Sequence, residues 1–163
     1  MAEDFTEILE GPIDHEADVI EATANGAIAQ WSPAVIVAPG TGETLPRVGT
    51  TTTLSDVDVA GVKSGPNETL VAGDICFVVV RGRIKVKVDA VTTRGQALGT
   101  SATAGKAAPI AVVDLPGTYL EATNQAEIKK ILVAFAKAET ATGAADGDII
   151  ACYVNRGILP GSA

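Results

Sequence analysis

Residues 75–88 read ICFVVVRGRIKVKV and contain two patterns that favour β structure. Residues 75–80 are apolar at every position, which is typical of a strand that is buried on both faces. In residues 81–88 apolar residues alternate with basic ones, so this part has one buried face and one basic, solvated face. The basic positions are Arg81, Arg83, Lys85 and Lys87. Gly82 indicates a turn or a bulge between the two halves.

Short β-like segments separated by turn residues precede this stretch. Asn25-Gly26 lies between the apolar segments 19–22 and 27–30, and this dipeptide predicts a hairpin turn. Residues 45–52 predict an edge strand, because Pro46 cannot donate a hydrogen bond to a ladder.

Two further strand predictions follow from local patterns. Residues 57–62 alternate at period two, so we expect a half-buried strand with Asp58 on its outer side. Residues 107–113 predict an apolar strand. Residues 99–106 resemble a phosphate-binding loop, but the glycine spacing is one residue too long and Ala107 replaces the magnesium-binding Ser or Thr, so we interpret them as a β turn.

The last third of the chain allows more than one interpretation. Residues 127–132 permit a turn of helix, whereas residues 133–138 favour one arm of a hairpin whose other arm is residues 149–155. Asp146 and Asp148 flank a glycine in the predicted turn; they fit turn geometry better than acid/base catalysis.

The composition agrees with many short strands. The chain has 163 residues, 47% hydrophobic and only 4% aromatic, with 17 Gly and 8 Pro. We therefore predict a mainly β fold: a small β-barrel or β-sandwich-like domain of short antiparallel strands over residues 17–163, with an extended N-terminal arm over residues 1–16. No apolar run is long enough to span a bilayer, and the first residues do not resemble a signal peptide, so we expect neither a membrane partner nor export.

Charge is unevenly distributed. Residues 1–46 contain nine acids and no Lys or Arg, whereas the rest of the chain has 11 acids and 12 bases, which together give the net charge of −8. An acidic leader suits docking on a basic protein surface, or is simply a solvated tail. The basic strand face of residues 81–87 lacks interleaved aromatic residues, so we predict that it is solvated or faces protein rather than nucleic acid.

Catalytic and metal sites have little support. His15 is the only histidine, so a Ser-His-Asp or Cys-His arrangement is hard to assemble. Together with its acidic neighbours His15 could bind a cation, but a solvated histidine is the simpler interpretation. We therefore expect no enzyme activity, no cofactor and no metal. Cys76 and Cys152 lie in apolar runs, where buried free thiols are expected and a disulfide is the alternative.

Two parts of the sequence resemble capsid decoration (head-stabilising) proteins of tailed viruses. They are the glycine- and valine-rich stretch 78–107, with its alternating charges, and the ending DGDIIACYVNRG of residues 146–157. The resemblance covers roughly residues 57–157, and the stretch 115–130 is longer than that pattern has. It implies a virion protein, made in the host cytoplasm and seated on the outer surface of the expanded capsid, with the major capsid protein and two further copies of itself (a homotrimer) as partners.

Under this resemblance the arm over residues 1–16 reaches over neighbouring coat subunits. Its apolar anchors would be Phe5, Ile8 and Leu9, and its charged contacts Glu3, Asp4, Glu7 and Glu10. The basic face of residues 81–87 would supply further contacts from the body. The alternative is a non-enzymatic fibre or spike module that binds host glycan, for which the candidate aromatic residues are Trp31, Tyr119 and Tyr153.

Overall fold

The structure, a computed structural model, describes residues 17–65, 70–114, 117–118, 120–139 and 147–155. These ranges contain nine strands and one helix. The strands are β1 (Asp18–Ala24), β2 (Pro33–Val37), β3 (Arg47–Gly49), β4 (Val59–Ser64), β5 (Ile75–Lys87), β6 (Ala97–Thr100), β7 (Ala107–Pro109), β8 (Ala136–Ala138) and β9 (Ile149–Val154), and the helix is α1 (Glu121–Val133). The prediction of a mainly β fold is confirmed, while the division at residue 16 stays a prediction.

Five strands form a closed barrel. Their order is β1-β3-β2-β4-β5, and β1 also pairs with β5, which closes the ring. The β1–β3 pair is parallel and the others are antiparallel. Closure leaves no exposed sheet edge among these strands.

The second half of β5 leaves the barrel and enters a second antiparallel sheet, in the order β5-β9-β8-β6-β7. The change occurs at a bulge: Asp18 pairs with Arg81 while Val19 pairs with Val79, so Val80 is an extra residue. Gly82 follows with φ +114°, a backbone conformation that residues with a side chain rarely adopt. The predicted turn or bulge is therefore a bulge within one continuous 13-residue strand.

The described residues form two large apolar cores and a small third cluster of Ala97, Ile110, Val133 and Ala134. The barrel interior is filled by small residues from its strands, together with Ile28 and Leu70, and this use of alanine suits a barrel of only five strands. These small residues are Ala22, Ala24, Ala34, Val48, Cys76 and Val78. The larger core lies between the barrel's outer side and the second sheet, where Val62 and Val79 meet Ile84, Val86 and Phe135.

The close approach of β4 and β5 depends on a glycine. A Cβ added at Gly61 would lie 2.1 Å from the carbonyl oxygen of Val79, far inside van der Waals contact. Any side chain at this position would have to push β4 and β5 apart.

The hairpin predicted at Asn25-Gly26 is wrong. Asn25 donates its N–H to Val48 O at 2.7 Å, so the chain continues along β3 instead of turning back. The next strand, β2, pairs with β3 and β4 rather than with β1.

The edge strand predicted over residues 45–52 is also wrong. The strand there, β3, is short and lies between β1 and β2. Pro46 lies just before it and takes part through its carbonyl, which accepts a hydrogen bond from Thr23 N at 2.8 Å. The missing N–H of proline therefore does not disturb the ladder.

In the last third, the hairpin prediction is confirmed for β8 and β9, which pair antiparallel. The permitted helical turn is in fact a helix of 13 residues, α1. It is held by tertiary contacts: Glu127 accepts the N–H of Asp114 at 2.7 Å and pairs with Lys130 at 2.7 Å, and Lys130 donates to Val112 O at 3.1 Å. The Lys130 and Asp114 hydrogen bonds lower the pKa of Glu127.

Two loop predictions have different outcomes. Residues 101–106 form the turn between β6 and β7, as expected, whereas Gly99 and Thr100 belong to β6 and pair with β7. The apolar strand predicted for residues 107–113 is only three residues long, since β7 ends at Pro109. No helix in the described ranges has the length and apolar character that crossing a membrane requires.

Candidate functional site

The outward face of the second sheet is basic where β5 forms it. Arg81, Arg83, Lys85 and Lys87 alternate with residues of the larger core, and all four remain at least partly exposed. We call these four residues the β5 basic face. The period-two alternation that predicted this face from the sequence is confirmed by the burial of Ile84 and Val86.

Strand pairing adds residues from distant parts of the chain. Tyr153 of β9 lies opposite Arg83, and Lys137 of β8 lies opposite Tyr153, so the three form one row across the sheet. Arg83 donates from Nε to Glu139 Oε1 at 3.1 Å, and its side chain is 58% exposed. An exposed ion pair of this kind contributes about 0–1 kcal/mol. The guanidinium therefore has further N–H groups for a second anion.

Lys85 is positioned by an aromatic ring. Its Nζ lies 5.7 Å from the centroid of the Trp31 ring, a distance at which an ammonium and an indole attract each other. Trp31 is fixed by its backbone, because its N–H donates to Lys63 O at 3.1 Å and its carbonyl accepts from Lys87 N at 2.9 Å. The tryptophan thus holds one end of the β5 basic face in place.

Trp31 is not a surface platform for sugar. Only 7% of it is exposed, and it belongs to the core between the barrel and the second sheet. The sequence interpretation of Trp31 as a glycan-binding aromatic is therefore wrong. Tyr153 is half-buried on the outward face, and Tyr119 lies outside the described residues.

The β5 basic face begins where the described chain begins. Asp18 lies opposite Arg81, and a Cβ added at Gly82 would be 2.7 Å from the Cα of Ala17, so there is no room for a side chain at Gly82. Ala17 packs against the larger core, on the side of β5 opposite to the side chains of Arg81 and Arg83. The arm residues singled out from the sequence, and His15, lie outside the described residues: Glu3, Asp4, Phe5, Glu7, Ile8, Leu9 and Glu10.

Both cysteines are buried and free, so the disulfide alternative is wrong. Burial raises the pKa of the Cys152 thiol strongly. It also raises the pKa of Cys76, and the nearby positive charge of Lys63 opposes that rise. Thiols with raised pKa values are poor nucleophiles, so neither cysteine is placed for catalysis.

Within the residues that the structure places, no three His, Cys, Asp or Glu side chains come together in a way that could hold a metal ion. Asp146 lies outside these residues, so the pair it forms with Asp148 in the sequence is not described. Lys63, buried in β4 opposite Val78, is a feature that the sequence reasoning missed. The alternation of residues along β4 places Lys63 on the inner side of the barrel. From the sequence alone, however, this alternation does not show whether the lysine is buried or in solvent.

Comparisons with known proteins give one kind of match. No family model matches the chain, and no curated protein matches it. Among solved structures, the fold is similar to the N base of the head fiber gp8.5 of bacteriophage phi29, with a TM-score of 0.50. The two chains are 15% identical, and the match covers 88% of this chain and 98% of that one. At this identity the likeness shows a shared fold.

Proposed function

We propose that this chain is a non-enzymatic structural protein of a tailed-phage virion. The observation that carries the proposal is the shared fold with a phage head fiber base, since the match extends over most of both chains. An independent resemblance in the sequence, to capsid decoration proteins, indicates the same class of particle. The two lines of support rest on different properties, one on backbone shape and one on residue pattern.

We further propose that it binds the outer surface of the expanded capsid and bridges neighbouring major capsid protein subunits. A bridging protein adds buried interface between capsomers, so separating them requires breaking more contact. Residues 1–16 supply apolar anchors and carboxylates for this docking, and the β5 basic face supplies cations that can meet acidic patches of the coat. A homotrimer would present three arms at once, which raises the effective affinity without new contacts.

A second candidate is the base of a head fibre or spike that carries a host-binding part. The fold match favours it, because the matched protein is itself the base of a phage head fiber. The glycan-binding form of this candidate depends on Tyr153 within the described chain, because Trp31 is buried. A glycan array with wild type and Tyr153→Ala tests it: reproducible binding that the variant loses would support this form, and no binding would contradict it.

The experiment for the leading proposal is co-sedimentation with expanded and unexpanded capsids at two salt concentrations. We expect saturable binding to expanded shells only, weakened by salt because charged contacts are screened. A chain lacking residues 1–16 should lose binding while its melting temperature stays nearly unchanged. No binding of the full chain to either shell would refute the capsid role, and full binding of the truncated chain would refute the role of the arm.

A further inference from the structure

The outward side of β9 is apolar and lies next to the cations of β5. Ile149, Ala151 and Tyr153 alternate along β9 with residues of the larger core, so their side chains share the side of the sheet that carries the β5 basic face. We call these three residues the β9 apolar column. Ile149 is 47% exposed, and Ala151 and Tyr153 are half-buried. Because Ala151 ends at a methyl group, the surface beside Tyr153 is shallow and apolar.

Strand pairing places cations on both sides of this column. Arg83 lies opposite Tyr153 on β5, and Lys137 lies opposite Tyr153 on β8. Neighbouring strands are about 4.8 Å apart, so the Cα atoms of Arg83 and Lys137 are about 10 Å apart with the tyrosine between them. A ligand that covers the tyrosine therefore meets positive charge on both sides.

Positive charge is in excess on this face. The carboxylates placed against it by strand pairing and ion pairing are Asp18, opposite Arg81, and Glu139, on Arg83. They are outnumbered by the β5 basic face together with Lys137. The bond to Glu139 uses Nε of Arg83, so the terminal nitrogens of the guanidinium can donate to the carboxylate of a ligand.

These features suit a ligand that has a flat apolar surface and carboxylates at its edge. The faces of a sugar ring carry C–H groups that pack on an aromatic ring, and a uronic acid adds a carboxylate at the edge. A neutral sugar on Tyr153 would displace water from the cations beside it and offer them no charge in return, which costs free energy. A carboxylate on the sugar offsets that cost, because arginine and lysine form charge-assisted hydrogen bonds with it.

We propose that the β9 apolar column and the cations beside it bind an acidic polysaccharide, with a sugar ring on Tyr153 and carboxylates at Arg83 and Lys137. The proposal rests on the second candidate function above, in which Tyr153 contacts a host glycan, and names the chemical class of that glycan. The leading candidate function assigns the same cations to acidic patches of a coat protein, so the test must separate a sugar from an acidic peptide.

The test is isothermal titration calorimetry of the full chain with probes of equal length. Galacturonate and hyaluronan tetrasaccharides are the acidic sugars, maltotetraose is the neutral sugar, and tetraglutamate supplies charge without a sugar ring. We expect at least one acidic sugar to bind about tenfold or more tightly than maltotetraose, the effect of one hydrogen bond between charged groups. It should also bind about fivefold more tightly than tetraglutamate, because only the sugar packs on the ring. High salt should weaken its binding.

Variants test the placement of the sugar. Lys137→Gln removes a flanking charge at an exposed position, and Lys129→Gln is the matched control at an exposed position of α1. We expect binding of the acidic sugar to weaken about three- to fivefold in Lys137→Gln and to stay unchanged in the control. Tyr153→Leu retains apolar area but loses the flat ring, and should weaken binding about fivefold. Equal affinities of wild type and Lys137→Gln would overturn the proposal, and this exposed substitution keeps the test valid if Tyr153→Leu does not fold.

The probes separate failure of the proposal from failure of the functions it builds on. Maltotetraose that binds as tightly as the acidic sugars would overturn the proposal and leave the glycan-binding candidate standing. Tetraglutamate that binds as tightly would overturn it in favour of an acidic protein surface. Binding of no sugar would overturn both the proposal and the glycan-binding candidate, while co-sedimentation with capsids tests the virion role independently.

Discussion

Replacing Trp31 by alanine distinguishes a structural tryptophan from a binding one. The ring packs in the core between the barrel and the second sheet, beneath the ammonium of Lys85. The backbone hydrogen bonds at position 31 involve main-chain atoms only, so they can persist in the variant. The substitution therefore removes packing and the contact with Lys85 and leaves the chain path unchanged.

The magnitude follows from the burial. A buried tryptophan removes about 150–250 Å² from water, which at about 25 cal/mol per Å² corresponds to about 4–6 kcal/mol. Measured substitutions of this type cost about 3–5 kcal/mol, because alanine retains part of the contact and the cavity relaxes. Loss of the ammonium–ring contact adds about 0.5–1 kcal/mol.

The assay is thermal unfolding followed by circular dichroism, supported by urea titration. The total cost is about 3.5–6 kcal/mol. For a chain of this length each kcal/mol lowers the melting temperature by about 2–4 °C, so we expect a decrease of about 7–24 °C. Val91→Ala, at a position 67% exposed, is the control and should change the melting temperature little. A Trp31→Ala protein that melts within about 2 °C of wild type would refute the buried placement of the ring.

Three other outcomes check separate parts of the structure. Gly61→Ala should destabilise by about 3 kcal/mol or more, since its Cβ would collide with a backbone carbonyl; Gly117→Ala, where a Cβ meets nothing within 4 Å, should be nearly neutral in the same melting assay. The pKa of Glu127 is lowered in the folded state by its hydrogen bonds with Lys130 and Asp114. These contacts therefore stabilise the fold at pH values above the usual glutamate pKa, and their stabilisation is lost as pH falls through the lowered value. An NMR titration should show the Glu127 midpoint below about 4.3, and Glu127→Gln should remove this part of the acid dependence of stability. Native protein should react slowly with a thiol reagent at about pH 8, because burial raises the pKa of Cys76 and Cys152. In denaturant both thiols should react rapidly. Rapid reaction of the native protein would contradict their burial.

The local sequence predicted the basic residues that β5 contributes to the candidate site, but not the residues that other strands contribute. The alternation of residues 81–88 reveals a basic face because side chains along a strand alternate between two sides, and this rule is local. Lys137 and Glu139 could not be assigned to that face, since β8 reaches it only through its pairing with β9. Their sequence distance from Arg83 is more than 50 residues, and no local pattern records such a pairing.

The helix α1 shows the same limit. Its residues permit helical structure, but among those described only Val133 is buried, so little apolar periodicity marks it. What holds it is the contact of Glu127 and Lys130 with residues 112–114, which is tertiary. The prediction of a single helical turn was therefore too short.

By itself, the sequence determined that the chain is mainly β, that the second half of β5 has one wet basic face, and that the cysteines lie in apolar surroundings. Each of these follows from composition or from a period of two, which neighbouring residues set. Only the tertiary structure decided that β3 is inserted between β1 and β2, that five strands close into a barrel, and that Trp31 is buried. Strand order and closure depend on hydrogen bonds between distant segments, and the surroundings of Trp31 come from Lys63 and Lys87, which approach it only when the barrel and the second sheet pack together.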